Sequence, residues 1–169
     1  MNNNISYSLS SNDILEYLDY KPNLIIYPEI IKYDNIDSLL GENGMCVLLY
    51  LTSSNYGHWC CVYRYNDSIC FFDSYGLKPD SELHFVSPAI RQSLKQYHAY
   101  LTKLLYKSNK KIEYNEYALQ KRKDGINTCG RWVCTRLKYN NVSIDDFAKT
   151  FLSVNNIIKP DELVTYLTA

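Results

Sequence analysis

Three short stretches carry residue types able to act together on a carbonyl group: "GHW" at 57–59, "FFDSYG" at 71–76 and "NTCGRW" at 127–132. Nucleophilic catalysis by cysteine requires a thiolate, a base that generates it and a group that orients the base. Cys129 is the candidate nucleophile. It follows the polar pair Asn127–Thr128 and opens a run with helical periodicity. At such a helix N-terminus, unpaired N–H groups and the helix dipole stabilise an anion. The same N–H groups can serve as oxyanion donors, and Gly130 is expected to let a substrate approach closely. His58 begins one strand-like run and Asp73 ends the next. Counted outward from the turn at Asn66–Asp67, both lie at the open end of a hairpin, where they are expected to pair. Each residue alone has a plainer reading: a turn histidine, a turn-capping aspartate, a buried small thiol. Their joint order, His then Asp then Cys, raises catalysis above those alternatives.

The elements that must position these residues emerge from patterning. "SLSSNDILEYLDY" reads as a helix capped by Ser10, Ser11 or Asn12, with Ile14, Leu15 and Leu18 at helical spacing. Pro22 and Pro28 interrupt the next stretch, so residues 21–35 are expected to be irregular or in short pieces. "IDSLLGENG" predicts a brief helix closed by Gly41. "MCVLLYLTS" is a continuous apolar run of strand length, the pattern of a strand buried on both faces. "HWCCVYRYN" and "ICFFDSYG" read as an antiparallel hairpin around Asn66–Asp67–Ser68. Residues 88–107 predict one long helix, with Pro88 in its first turn and Ile90, Leu94, Tyr97, Leu101, Leu104 and Leu105 on one stripe. "IEYNEYALQ" is a plausible further strand, "CGRWVCTRLKY" a helix, and the segment from Ser143 one or two more helices. The expected fold class is α+β: a central, mostly antiparallel sheet flanked by helices, with Cys129 at a helix N-terminus. Residues 1–169 read as a single domain, with no repeat, linker or compositional break.

Composition narrows the function classes. Eighteen basic and 18 acidic residues cancel, which argues against a chain that binds nucleic acid by overall charge. The clusters Lys107, Lys110, Lys111 and Lys121, Arg122, Lys123 leave room for weak DNA contact, although a solvated face is the plainer reading. No apolar stretch approaches the roughly 20 residues that cross a bilayer, so no membrane association is expected. The opening "MNNNISYSLSSND" lacks the basic and apolar regions of a secretory leader, and a reducing compartment is expected. The six cysteines, at 46, 60, 61, 70, 129 and 134, form no CxxC pair, so neither disulfides nor a structural zinc is expected. Cys134 reads as core, and His84 and His98 as ordinary histidines.

The order His–Asp–Cys within "GHW", "FFDSYG" and "NTCGRW" resembles the adenovirus-protease and SUMO-protease clan of cysteine peptidases. Within that clan it looks most like the maturation proteases of virophages, polinton-type elements and related large DNA viruses. These motifs span residues 57–130, and the first 40 residues add little specificity. The resemblance implies the adenain-like, papain-like cysteine protease architecture. It implies His58 as general base, Asp73 as its orienting partner, and Cys129 as nucleophile. Trp59, with Gly130, would line a channel that admits only small residues beside the scissile bond. The clan's oxyanion glutamine normally lies six or seven residues before the cysteine, a window that here holds Lys123 and Asp124. Gln120, nine residues before Cys129, takes that role if "KRKDG" loops out, and Asn127 is the substitute if it does not.

The activity so implied is endoproteolysis of viral capsid precursors after small residues such as Gly-Gly-X, without metal or organic cofactor. The expected setting is the virion or the viral factory in the host cytoplasm, not a secreted location. Removal of ubiquitin-like modifiers and clan-related acetyl transfer are alternatives that use the same residues.

Overall fold

Five strands form one sheet in the order β1-β2-β3-β4-β5 in the computed structural model, which describes residues 3–169. The strands are β1 (Asn23–Ile26), β2 (Met45–Ser53), β3 (Tyr56–Tyr65), β4 (Ser68–Phe72) and β5 (Lys111–Tyr114). The middle three pair antiparallel, as expected, whereas the edge pairs β1–β2 and β4–β5 are parallel, so the sheet is mixed. Strands β1, β2, β4 and β5 therefore run toward one rim of the sheet, and β3 starts there. That rim receives His58 from the start of β3 and Asp73 from just beyond β4.

Seven α-helices among the described residues surround the sheet. They are α1 (Ser11–Tyr17), α2 (Ile36–Leu40), α3 (Pro88–Ser93), α4 (Tyr100–Lys107), α5 (Cys129–Lys138), α6 (Ile144–Ser153) and α7 (Pro160–Leu167). On one face Val47, Leu49, Trp59, Cys61 and Phe72 pack against Ile14 of α1, Trp132 and Val133 of α5, Phe147 of α6 and Val164 of α7. On the other face Leu48, Tyr50, Cys60, Val62 and Phe71 meet Tyr27, Leu39 and the α4 leucines 101, 104 and 105. Coverage on both faces is why β2 reads as unbroken hydrophobic sequence rather than alternation.

Local chemistry sets the element ends. Ser10 and Asp13 cap α1 reciprocally, the serine oxygen taking the Asp13 N–H at 3.2 Å and the carboxylate taking the Ser10 N–H at 2.8 Å. Asn35 caps α2, Gly41 ends it at φ 64°, and Ser143 caps α6. The proline-flanked stretch expected to be irregular holds β1 and a 3-10 helix at Tyr27–Lys32.

The long helix expected over 88–107 is two helices. The chain leaves α3 at Leu94, turns through Lys95 at φ 58°, and re-enters helix at Tyr100. Between them Gln96 is fully buried, accepting the Leu51 N–H at 3.0 Å and donating to the Leu51 carbonyl. Those backbone groups lie where the β2–β3 register shifts, between Leu51 and Ser53. An unpaired buried backbone group costs about 1–3 kcal/mol, so a side-chain amide that serves both outweighs one turn of helix. With the break, Ile90 and Tyr97 lose the predicted stripe and face solvent.

Gly57 makes the closest backbone approach in the hairpin. A Cβ there would lie 1.8 Å from the Tyr50 carbonyl oxygen. The substitution Gly57→Ala is therefore expected to separate β2 from β3 and lower stability by about 3 kcal/mol, measured as the urea midpoint. An unchanged midpoint would show that the rim tolerates a side chain there.

Candidate active site

Asp73 is fully buried and held by its backbone as well as its side chain. Asn115, just beyond β5, donates from Nδ2 to the Asp73 carbonyl at 2.7 Å, and the Tyr75 N–H donates to Asp73 Oδ1 at 2.8 Å. Gly76, at φ 77°, lets this turn lie against the Tyr117 backbone, which a Cβ would meet at 2.8 Å. Into this fixed carboxylate His58 Nε2 donates at 2.9 Å. The imidazole stacks on Tyr75, centroids 4.5 Å apart and planes 12° from parallel. His58 and Cys129 line the same cleft, and the thiol bears on the charge of the imidazole.

Burial of His58 works against its charged form. The neighbouring Cys60 and Asp73 groups, with the hydrogen bond to Asp73 and the nearby Cys129 thiol, reverse that and hold the imidazole well above its ordinary value. Cys60, two residues along β3, is also beside the ring. Burial and then the Asp73 charge push its thiol well above the ordinary value, so it remains protonated.

His58, Cys60 and Asp73 each offer an atom within 4.8 Å of the others, a spacing that invites comparison with a metal site. Two ligands of a tetrahedral zinc lie about 3.3 Å apart. The 2.9 Å His58–Asp73 separation is shorter and is that of a charge-assisted hydrogen bond.

Cys129 opens α5 and is partly exposed, whereas the other five cysteines, Cys134 included, are buried. Thr128, the residue before it, does not cap the helix with its side chain. Its hydroxyl instead donates to Asp161 Oδ1 at 2.6 Å, and Trp132 Nε1 donates to the same oxygen at 3.0 Å. The other Asp161 oxygen accepts the Lys121 N–H at 2.9 Å, which fixes the loop immediately after Gln120.

Gln120 lies in the wall of the same cavity as Cys129 and His58, a cleft of about 990 Å³. Its carbonyl oxygen accepts from Ser74 Oγ at 2.7 Å. Its Nε2 makes only long contacts, 3.3 Å to Tyr75 Oη and 3.4 Å to the Ile126 carbonyl, and so remains the less committed amide donor. Asn127 is tied down: its Nδ2 donates to the Ser6 carbonyl and its N–H to the Ile5 carbonyl, both at 2.8 Å. The loop "KRKDG" borders the cleft from Arg122 to Gly125, and of the two candidate amides Gln120 is the freer.

Trp59 lines the cleft, anchored by a 3.1 Å hydrogen bond from Nε1 to the Leu9 carbonyl. Gly130 corrects the expectation of a channel residue. It is buried, and a Cβ there would meet Leu9 at 3.0 Å and Ile14 and Trp59 at 3.3 Å. Its lack of a side chain serves the packing of α5 under Trp59 and α1.

Three residues outside the motifs, Glu82, Arg122 and Asp161, also build the site, with Tyr75 from within "FFDSYG". Arg122 belongs in sequence to a basic cluster expected to be a solvated face. Its guanidinium instead lies over Tyr75 at 4.2 Å and Phe85 at 4.3 Å, and it approaches Glu82 Oε1 at 3.6 Å. Only the aromatic "SYG" beside Asp73 hints at such a stack.

The histidine pair has a pH signature. A folded-state value raised above the unfolded one means its stabilisation is complete below about pH 6.5 and is lost as pH rises through the folded value. The substitution Asp73→Asn preserves volume but removes the charge. The difference in Tm between the parent chain and this variant is expected to be largest near pH 6 and to shrink toward pH 9; a pH-independent difference would contradict the pairing.

No family model matches the chain. The ASFV pS273R protease superposes on 99% of this chain and 69% of its own with TM-score 0.51 and 18% identity. A second structure of that protease gives TM-score 0.50 over 99% and 68%, again at 18% identity. The mixed five-stranded sheet with flanking helices is therefore the α+β fold of that protease. In sequence the chain is 46% identical over 164 residues to the uncharacterized protein V9 of Sputnik virophage, covering 95% of this chain and 94% of that one. At that identity over nearly the full length of both, the chain belongs to the family of the virophage protein V9.

Proposed function

We propose that the chain is a cysteine endopeptidase of the adenovirus-protease and SUMO-protease clan, and that it matures viral capsid precursors by cleaving after small residues such as Gly-Gly-X. One arrangement carries the reading. The sole partly exposed cysteine of six begins a helix and shares a cleft with a histidine whose Nε2 is 2.9 Å from a buried aspartate. The protease fold and the virophage relative support it.

Each role follows from that arrangement. Asp73 fixes the imidazole with Nε2–H toward itself and Nδ1 toward the thiol. His58 takes the Cys129 proton, and the raised imidazole favours the thiolate–imidazolium pair. The sulfur attacks the scissile carbonyl carbon, a C–S bond forms, and the oxygen becomes an oxyanion. Gln120 Nε2 and the first N–H groups of α5 donate to that oxygen. Collapse breaks the C–N bond while His58 gives its proton to the departing amine. Water, deprotonated by His58, then cleaves the thioester, releasing the acid and regenerating the thiol. No step requires a metal or an organic cofactor. Trp59 roofs the cleft, which favours residues without large side chains beside the bond cut. The work would be done in the virion or the viral factory of the host cell.

Iodoacetamide labelling near pH 6, mapped by mass spectrometry, tests the nucleophile. Cys129 is expected to react first, and His58→Ala to slow it. Against virion precursor proteins, Cys129→Ala and His58→Ala are each expected to lower kcat at least about 10³-fold, and Gln120→Ala about 10²-fold. Uniform labelling of all six cysteines would sink the reading. Preferential capture by a di-glycine ubiquitin-like aldehyde, without precursor cleavage, would redirect it to modifier removal.

A further inference from the structure

Asp73 uses one carboxylate oxygen fully and the other not at all. Oδ1 accepts from His58 and from the Tyr75 N–H, whereas Oδ2 is buried without a hydrogen-bond donor. Glu82, which interacts with it, shows a complementary defect: its Oε1 is buried and, although the Arg122 guanidinium lies 3.6 Å away, accepts no hydrogen bond. Two neighbouring buried carboxyl groups, each short of a donor, are both satisfied by one proton held between them.

Glu82 is firmly placed. It belongs to a 3-10 helix at Ser81–Phe85 that starts from Asp80 in the left-handed region. The Asp80 carboxylate accepts from Tyr27 Oη at 2.7 Å, Tyr50 Oη at 3.0 Å and the Thr102 N–H at 2.7 Å, which pins that helix to the sheet. Every charged or titratable group facing Glu82 bears on its proton. From β3 come His58 and Cys60, from the turn after β4 Asp73 and Tyr75, and from the loop before α5 Arg122. His58 in its charged form and Arg122 favour the carboxylate; burial and the Asp73 charge favour the acid.

We infer that Glu82 is a positioning residue which, as a neutral acid, donates its proton to Asp73 Oδ2 and so locks the carboxylate that orients His58. The inference deepens the proposed protease reading and rests on it for its effect on Cys129. Burial first, and then the Asp73 charge and hydrogen bond, push the Glu82 carboxyl up to about 7, which agrees with the geometry. As pH rises through that value the donor is lost, and a second negative charge appears beside Asp73.

Carbon-13 NMR of glutamate side-chain carboxyls, with Glu82 assigned by Glu82→Gln, tests where the proton resides. Glu82 is expected to titrate near 7, far above exposed glutamates; titration with those glutamates near about 4.3 would overturn the inference. The alkylation rate of Cys129 followed against pH supplies the second readout. Glu82→Ala is expected to slow it about tenfold at pH 6. Glu82→Gln, which keeps an N–H donor for Oδ2, is expected to restore the rate but to lack the inflection near 7 of the parent chain. Equal rates for the alanine and glutamine variants, or an inflection that survives in Glu82→Gln, would also overturn it. If Cys129 shows no selective reactivity in the parent chain, the protease reading falls, while the carboxyl titration still decides the place of the proton.

Discussion

A single buried carboxylate, that of Asp161 at the start of α7, holds the two halves of the cleft in register. Through one oxygen it takes the Thr128 hydroxyl and the Trp132 indole, and through the other the backbone N–H of Lys121. Thr128 precedes Cys129 and Lys121 follows Gln120, so one group sets the start of α5 and the loop that returns to it. A buried carboxylate is costly unless fully hydrogen-bonded, and three donors meet that requirement here. Its position depends in turn on α7, which Arg131 holds from α5 by donating to Thr168 Oγ1 at 2.9 Å and to the Thr168 carbonyl at 3.3 Å. Arg136 does the same for the turn between α5 and α6, donating to the carbonyls of Tyr139, Val142 and Ser143. The helix that begins at Cys129 is thus anchored from its buried side by the charges of Arg131 and Arg136.

Because Thr128 is engaged by Asp161, its side chain leaves the first turn of α5 uncapped. An ordinary cap would satisfy one of the N–H groups that an oxyanion needs. The helix forgoes a contribution of about 1 kcal/mol at its N-terminus, and the packing of Trp132, Val133 and Leu137, each worth roughly 1.5–3 kcal/mol, more than offsets it. This is a local departure from good helix design at the point where the proposed function asks for open donors.

Much of this was legible in the order of residues, and the gaps have physical causes. The antiparallel hairpin and the pairing of its open end follow from turn chemistry and strand length, which are local. The direction of the edge strands is not local: it depends on crossovers through α2 and through α3–α4, which strand patterning does not encode. The break at Leu94–Ala99 was hidden because Gln96 bonds to a strand 45 residues away, an interaction that helical periodicity cannot anticipate. Gln120, with Asn127 as its substitute, was visible as a candidate, but the hold of the Ser6 carbonyl on the Asn127 amide was not. Glu82 and Asp161 carried no signal at all. An acid near a helix start reads as a dipole partner, and only tertiary structure shows what it touches.

The first ten residues sharpen the same point. In the sequence they look like a polar lead-in to α1, with little bearing on chemistry. In the fold, Ile5 and Ser6 bind Asn127, two residues before Cys129, and Leu9 receives the indole N–H of Trp59. Leu9 also fills the space that the missing side chain of Gly130 leaves open. The arm therefore joins the roof of the cleft to the start of α5, and its contacts are mostly backbone carbonyls. Carbonyl acceptors make no demand on side-chain identity, so a segment can wall the site with almost any composition. That is why the motifs concentrate between residues 57 and 130 even though the cleft itself begins near residue 8.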